Sequence, residues 1–133
     1  MRADVKAVCE ACSAGSEDGS LNFPQQLSKL MEVGVEGYYC DLRRATKTYY
    51  LPSGESIQVK AAPVKTPVAA TFDAGAVESA VRLSQANAHT YPEFCEKIAA
   101  AGCPAYLVSI LGRRVIYLGR TAEAHVEHFP KEP

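Results

Sequence analysis

Cys9-Glu10-Ala11-Cys12 sets two thiols three positions apart, the spacing of redox dithiols and of half a tetrahedral zinc site. A redox dithiol works at a strand-to-helix junction, where the helix N-terminus lowers a thiol pKa. These two fall toward the end of a helical pattern instead, and no second pair completes a zinc site. Five cysteines is also an odd number for a closed disulfide framework. The expectation is five reduced thiols buried as small hydrophobes.

The densest polar cluster is Glu123-Ala-His125-Val-Glu127-His128-Phe129. On a strand, Glu123, His125 and Glu127 share one face and His128 takes the other. A histidine beside carboxylates can move a proton or hold a metal. Together with the nearby Arg120, this makes Arg120, Glu123 and His125 the candidate ligand-binding residues. The competing expectation is a solvated strand edge, and His89, just ahead of a helix cap, reads as a solvated loop residue. Arg43, Arg44, Arg113, Arg114 and Arg120 all fall near turns. If the strands they join lie side by side, they form one basic rim for phosphate, carboxylate or nucleic acid; otherwise they are charged residues protecting sheet ends. Tyr38-Tyr39 and Tyr49-Tyr50 are adjacent pairs, so one ring of each faces the core. No Gly-rich phosphate loop, serine elbow or H-E-x-x-H is present. No catalytic residue, metal or cofactor is therefore assigned.

The chain that must position these residues has 133 of them, 47% hydrophobic and 22% charged. That is an ordinary globular composition, long enough to bury about two-thirds of its unfolded surface without a disulfide or metal staple. A formal charge of −1 gives no global attraction for nucleic acid or an anionic membrane. No apolar run approaches the roughly 20 residues of a membrane span, and the first residues lack a signal peptide's apolar stretch. The expected location is the cytoplasm. A protein or small-molecule partner is favoured over nucleic acid, with no membrane partner.

Internal similarity organises the rest. At an offset of 68, Pro24 falls on Pro92, Lys29 on Lys97, Gly34 on Gly102, Tyr38 on Tyr106, Tyr49 on Tyr117 and Glu55 on Glu123. Asn22 and Thr90 are N-cap residues, each followed by an aromatic, a proline and then Gln25 or Glu93, which is capping-box spacing. Gly34 and Gly102 then read as left-handed C-caps. Beyond each glycine the pattern turns to strands: VEGYYCDL, TKTYYL and ESIQVK in one half, PAYLVSIL, RVIYL and EAHVEHF in the other. An amphipathic helix precedes each unit, over roughly 3–13 and 73–86. The prediction is an α+β fold made of a duplicated ααβββ unit, its antiparallel meanders packed with helices in one pseudo-twofold domain. Half-repeats 1–60 and 71–133 are joined by an extended crossover, 61–70. Whether the meanders share a sheet is left open. The repeat also places the five cysteines on Val77, Ala80, Val108, Leu27 and Val35, all apolar, and sets His125 and Glu127 against Ile57 and Val59.

Several short stretches occur together in a known group of sequences. They are Phe23-Pro24, Gly34-Val-x-Gly-Tyr38, Phe72-Asp73, Ser84-Gln85, Tyr91-x-x-Phe94, Ala101-Gly-Cys103, Tyr117-Leu-Gly-Arg120 and His125-Val-Glu-His-Phe-Pro130. In these the chain resembles the YdfO-like, YbcV-like family of small bacterial proteins, some from prophage regions. The resemblance implies a compact α+β fold and no established activity. The function expected is a non-enzymatic binding or interaction module. The alternatives are a small-molecule binder or enzyme with a pocket between the half-repeats, and nucleic-acid binding through the arginine turns.

Overall fold

The computed structural model describes residues 2–130. The element order is α1 (Arg2–Asp18), α2 (Phe23–Glu32), β1 (Gly37–Asp41), β2 (Thr46–Tyr50), β3 (Ser56–Lys60), α3 (Ala74–Gln85), α4 (Tyr91–Ala100), β4 (Ala105–Ser109), β5 (Arg114–Leu118) and β6 (Ala124–His128). This is the duplicated ααβββ order, in an α+β fold. Residue 1 and residues 131–133, the outer ends of the two half-repeats, lie outside the described residues.

Local chemistry sets the helix limits. Asn22 and Gln25 exchange hydrogen bonds in a capping box, both at 2.9 Å. Thr90 and Glu93 do the same at 3.2 and 2.8 Å. Each cap satisfies amides that the first helical turn leaves without partners, worth about 1 kcal/mol. Gly34 and Gly102 adopt φ of 83° and 86°, and the next residue's amide reaches back to Leu30 or Ile98 to close the helix. Helix α1 runs five residues past the predicted end at Ser13. Ser13 and Ser16 are buried, so packing against the sheet outweighs the weak helix preference of Ser13-Ala-Gly-Ser16.

The six strands form one antiparallel sheet, in the order β3-β2-β1-β4-β5-β6. The two meanders join through β1 and β4, where Tyr39 pairs with Leu107. Those two residues are 68 apart, each the other's repeat partner. The pseudo-twofold axis therefore passes through that pair, and every other β1·β4 pair is symmetric about it. All four helices cover one face. Two cross-sheet rows point into it: Val59-Lys47-Cys40-Tyr106-Tyr117-His125 and Ile57-Tyr49-Tyr38-Val108-Val115-Glu127. The axis exchanges the rows. The opposite face is open to solvent and carries an apolar row that runs from Leu107 through Ile116 to Val126 on the edge strand β6. As alternation requires, Tyr38 and Tyr49 are buried while Tyr50 is exposed.

Residues 61–70 form an extended crossover packed on the core through Val64 and Val68. Glu17 accepts a hydrogen bond from the Ala62 amide at 2.5 Å, and Glu96 accepts from the Lys65 and Thr66 amides at 3.0 and 2.9 Å. All five cysteines are buried free thiols. Burial pushes the Cys9 and Cys95 thiols up to about 12 and Cys103 to about 11. The nucleophilic thiolate is therefore scarce at neutral pH. A thiol-reactive disulfide reagent at pH 8 is expected to label none of the five within minutes in the native protein and all five once it is denatured. Rapid labelling of Cys9 or Cys12 alone would show that α1 opens and that the pair is accessible for chemistry.

Candidate functional site

The twofold produces two equivalent sites on the helix-covered face. At each, an aromatic from the first turn of one half's capped helix crosses the axis and lies over the other half's meander. Tyr91 of α4 reaches the first meander, and Phe23 of α2 reaches the second. The walls correspond by the same offset: Cys40 with Val108, Glu17 with Gln85, Ala61 with Phe129, and Pro92 with Pro24.

The sites differ in what fills them. The first retains about 40 Å³ of cavity, the second about 340 Å³. Lys47 explains much of the difference. It occupies the position that Val115 holds in the second half, is 2% exposed, and places its ammonium 4.6 Å from the centroid of the Tyr91 ring. A long side chain laid against an aromatic face fills the first site; valine leaves the second open. The charge has an attractive partner in the ring's π face. Tyr91 is fixed further by hydrogen bonding between its hydroxyl and that of Tyr106, at 2.6 Å, and lies 3.6 Å from the Cys40 thiol.

The open cleft is bounded by α3, α4, the start of α2, strands β4 to β6 and the segment that follows β6. Six aromatic rings contribute to its walls: Phe23, Tyr91, Phe94, Tyr106, Tyr117 and Phe129. Phe23 and Phe129 meet edge to face with centroids 5.6 Å apart, and Phe94 meets Tyr117 similarly at 6.1 Å. Such contacts add about 0.5–1.5 kcal/mol each beyond area burial. The polar groups in the walls include Asn22, Ser84, Gln85, Asn87 and the carboxylate of Glu127.

Glu127 belongs to a charged network that links β6 to α3. Its side chain is 11% exposed, accepts from Arg82 at 3.0 Å and lies 2.6 Å from His125 Nε2; Arg82 also pairs with Glu78 at 3.2 Å. Burial pushes the Glu127 carboxyl up, but hydrogen bonds from His125 and Arg82, with the Arg82 charge, outweigh it and leave the group below its ordinary value. Glu78, His125 and Glu127 present ligand atoms within 4.8 Å of one another. The guanidinium of Arg82 already pairs with both carboxylates, so a metal ion there would have to displace it.

A carboxyl held low contributes stability that is complete above its unfolded value, about 4.3, and is lost as pH falls through the folded value. Glu127→Gln is therefore expected to be less stable than the parent at neutral pH, with the gap closing below about pH 4. Urea denaturation across pH checks this, and a gap that stays constant with pH would show that the network contributes no charge-dependent stability.

His125 faces the helices beside Glu127, with its side chain 20% exposed. β6 is an edge strand of the sheet, but the expectation that it is solvated fails at these two residues, because the core rows continue into β6 and α3 covers its inner face. Arg120 donates to the Val68 carbonyl at 3.3 Å and so braces the crossover. Glu123 accepts from the Thr121 hydroxyl at 2.6 Å within the β5–β6 turn. Neither residue lines the cleft. His89 lies 2.7 Å from the Ser84 hydroxyl and 2.9 Å from the Lys97 ammonium. The five arginines do not share one rim. Because β1 and β4 run antiparallel, the turn bearing Arg43 and Arg44 lies at the opposite end of the sheet from the turn at Arg113 and Arg114. The aromatic cleft itself escaped sequence reasoning. Its one sequence signal was the exchange of Lys47 for Val115 between otherwise matched strands.

The chain belongs to the family described as "Protein of unknown function (DUF1398)", which it matches over residues 14–127. No curated protein matches it.

Proposed function

We propose that this family member is a non-enzymatic binding module whose ligand is a small, largely apolar molecule held in the cleft over the second meander. The observation that carries this reading is the inequality of two sites that duplication makes equivalent, about 340 Å³ against about 40 Å³. One lysine occupies the first. The second keeps an aromatic surface in contact with water, and a ligand that covers it gains the free energy of that burial. A cleft of that size is on the scale of a small organic molecule.

Binding is favoured over catalysis by the state of the tyrosines in the wall. Tyr91 and Tyr106 are hydrogen-bonded to each other, and burial pushes both hydroxyls well above the ordinary tyrosine value. The proposal takes Arg120 as a brace for the crossover and His125 as a brace for Glu127. It places the protein in the cytoplasm, consistent with there being no described helix long and apolar enough to cross a membrane. The resemblance to YdfO-like, YbcV-like sequences supports a prophage origin within the same proposal. The continuous sheet supports a single domain, whose unfolding is then one cooperative transition.

Titration of isotope-labelled protein with benzyl alcohol, followed by amide NMR, tests the reading. Shifts are expected at Val108, Val115 and Phe129, with little change around Cys40 and Lys47. Absence of shifts at millimolar probe, or shifts confined to the open sheet face, would remove the proposal.

A further inference from the structure

Resting on that reading, we infer that the cleft takes aromatic ligands bearing a positive charge, such as aryl-alkyl amines, in preference to neutral or anionic ones. Two properties of its wall carry the inference. The first is the ring-rich lining, since aromatic faces attract a cation near their centroids. The second is the sign of the charge within reach. Among the described residues that line the cleft, Glu127 is the only formally charged side chain, and no lysine or arginine is present.

The nearby cations are committed elsewhere. Arg82 bridges Glu127 and Glu78 without lining the cleft, and Arg113 lies over the Phe129 ring, 5.6 Å from its centroid, while donating to the Pro130 carbonyl. Glu127 keeps capacity for a further donor. A carboxylate offers about four acceptor positions. Here one oxygen takes Arg82 Nη1 at 3.0 Å, and the other takes His125 at 2.6 Å and a long contact from Arg82 Nη2 at 3.5 Å. A ligand ammonium at the β6 wall would complete this set while its ring lies among those of Phe94, Tyr117 and Phe129. An anionic ligand would face the same carboxylate with no compensating cation in the wall. Glu78, Arg82 and Glu127 together carry a net negative charge, so the bias persists after their internal pairing.

Three probes with one shared ring separate the outcomes: benzylamine, cationic at pH 7, benzyl alcohol and benzoate. By calorimetry or NMR titration at constant ionic strength, benzylamine is expected to bind about five- to tenfold more tightly than benzyl alcohol, and benzoate more weakly than either. Glu127→Gln should reduce the advantage of benzylamine over benzyl alcohol to the part that the rings supply. Glu127→Asp, which keeps the charge that Arg82 needs but draws it back, should narrow the gap in a variant that retains the network. Benzoate binding as tightly as benzylamine, or an unchanged amine preference in both variants, overturns the inference and leaves the cleft a binding site. Failure of all three probes to bind the folded parent instead removes the binding-module reading beneath it.

Discussion

Val115→Lys is expected to abolish binding of benzyl alcohol and benzylamine, by tenfold or more, in a protein that still folds. The substitution copies into the second half what the first half already contains. Lys47 is accommodated because its stem packs in the sheet face and its ammonium meets the ring of Tyr91. A lysine at 115 would find equivalent surroundings, since Phe23 stands where Tyr91 stands in the other site. It would also have a carboxylate that the first half lacks, because Val115 pairs directly with Glu127 across β5 and β6. Where Lys47 has Val59 at that position, the new lysine would face an anion. A cost within about 2 kcal/mol is expected, since the stem fills open volume and the charge has both a ring and a carboxylate. Val115→Phe fills the cleft by volume alone and should also block both probes. Native near-ultraviolet circular dichroism with undiminished binding in both variants would mean that the ligand site lies elsewhere.

Gly102→Ala is expected to destabilise the protein by about 3 kcal/mol or more, while Gly34→Ala, at the matching position of the first half, costs about 1–2 kcal/mol. Both glycines hold left-handed backbone, so both substitutions carry the conformational penalty of an L-residue there. Only Gly102 adds a collision. A Cβ at 102 would lie 2.2 Å from the Thr71 carbonyl oxygen and 2.9 Å from the Phe72 Cα, whereas a Cβ at 34 meets nothing within 4 Å. The segment ahead of α3 is extended and bonded to the end of α4, with Asp73 N–H donating to the Ala101 carbonyl at 2.8 Å. The corresponding residues of the first half are already inside α1, which starts at Arg2. Thermal and urea denaturation measure the difference; a melting-temperature loss of about ten degrees or more is expected for Gly102→Ala and a few degrees for Gly34→Ala. Equal losses would mean that the crossover yields without cost and that the two half-repeats are mechanically alike.

The two glycines mark the boundary between what sequence reveals and what it does not. Asn22, Thr90, Gly34 and Gly102 announced two helices with the same start and stop, because capping and left-handed backbone are local requirements met by local residue types. The strands were equally visible in their aromatic and β-branched runs. The shared face of His125 and Glu127 followed from strand alternation. Their covering did not, because it depends on α3 lying across β6, a contact between segments about 45 positions apart. The end of α1 was missed for the same reason: burial of Ser13 and Ser16 is a tertiary fact that outweighs their weak intrinsic preference.

By itself the sequence determined a duplicated ααβββ unit, its caps and turns, and the apolar character of its cysteines, all consequences of interactions within a few residues or of a repeat visible at offset 68. The tertiary structure decided that the meanders share one sheet, because β1 and β4 pair about Tyr39 and Leu107. That pairing sends the arginine turns to opposite ends and swings Phe23 and Tyr91 across the axis. Lys47 and Val115 differ by one long side chain in the text of the chain. Only where each meets an aromatic from the other half does that difference become a filled site and an open one.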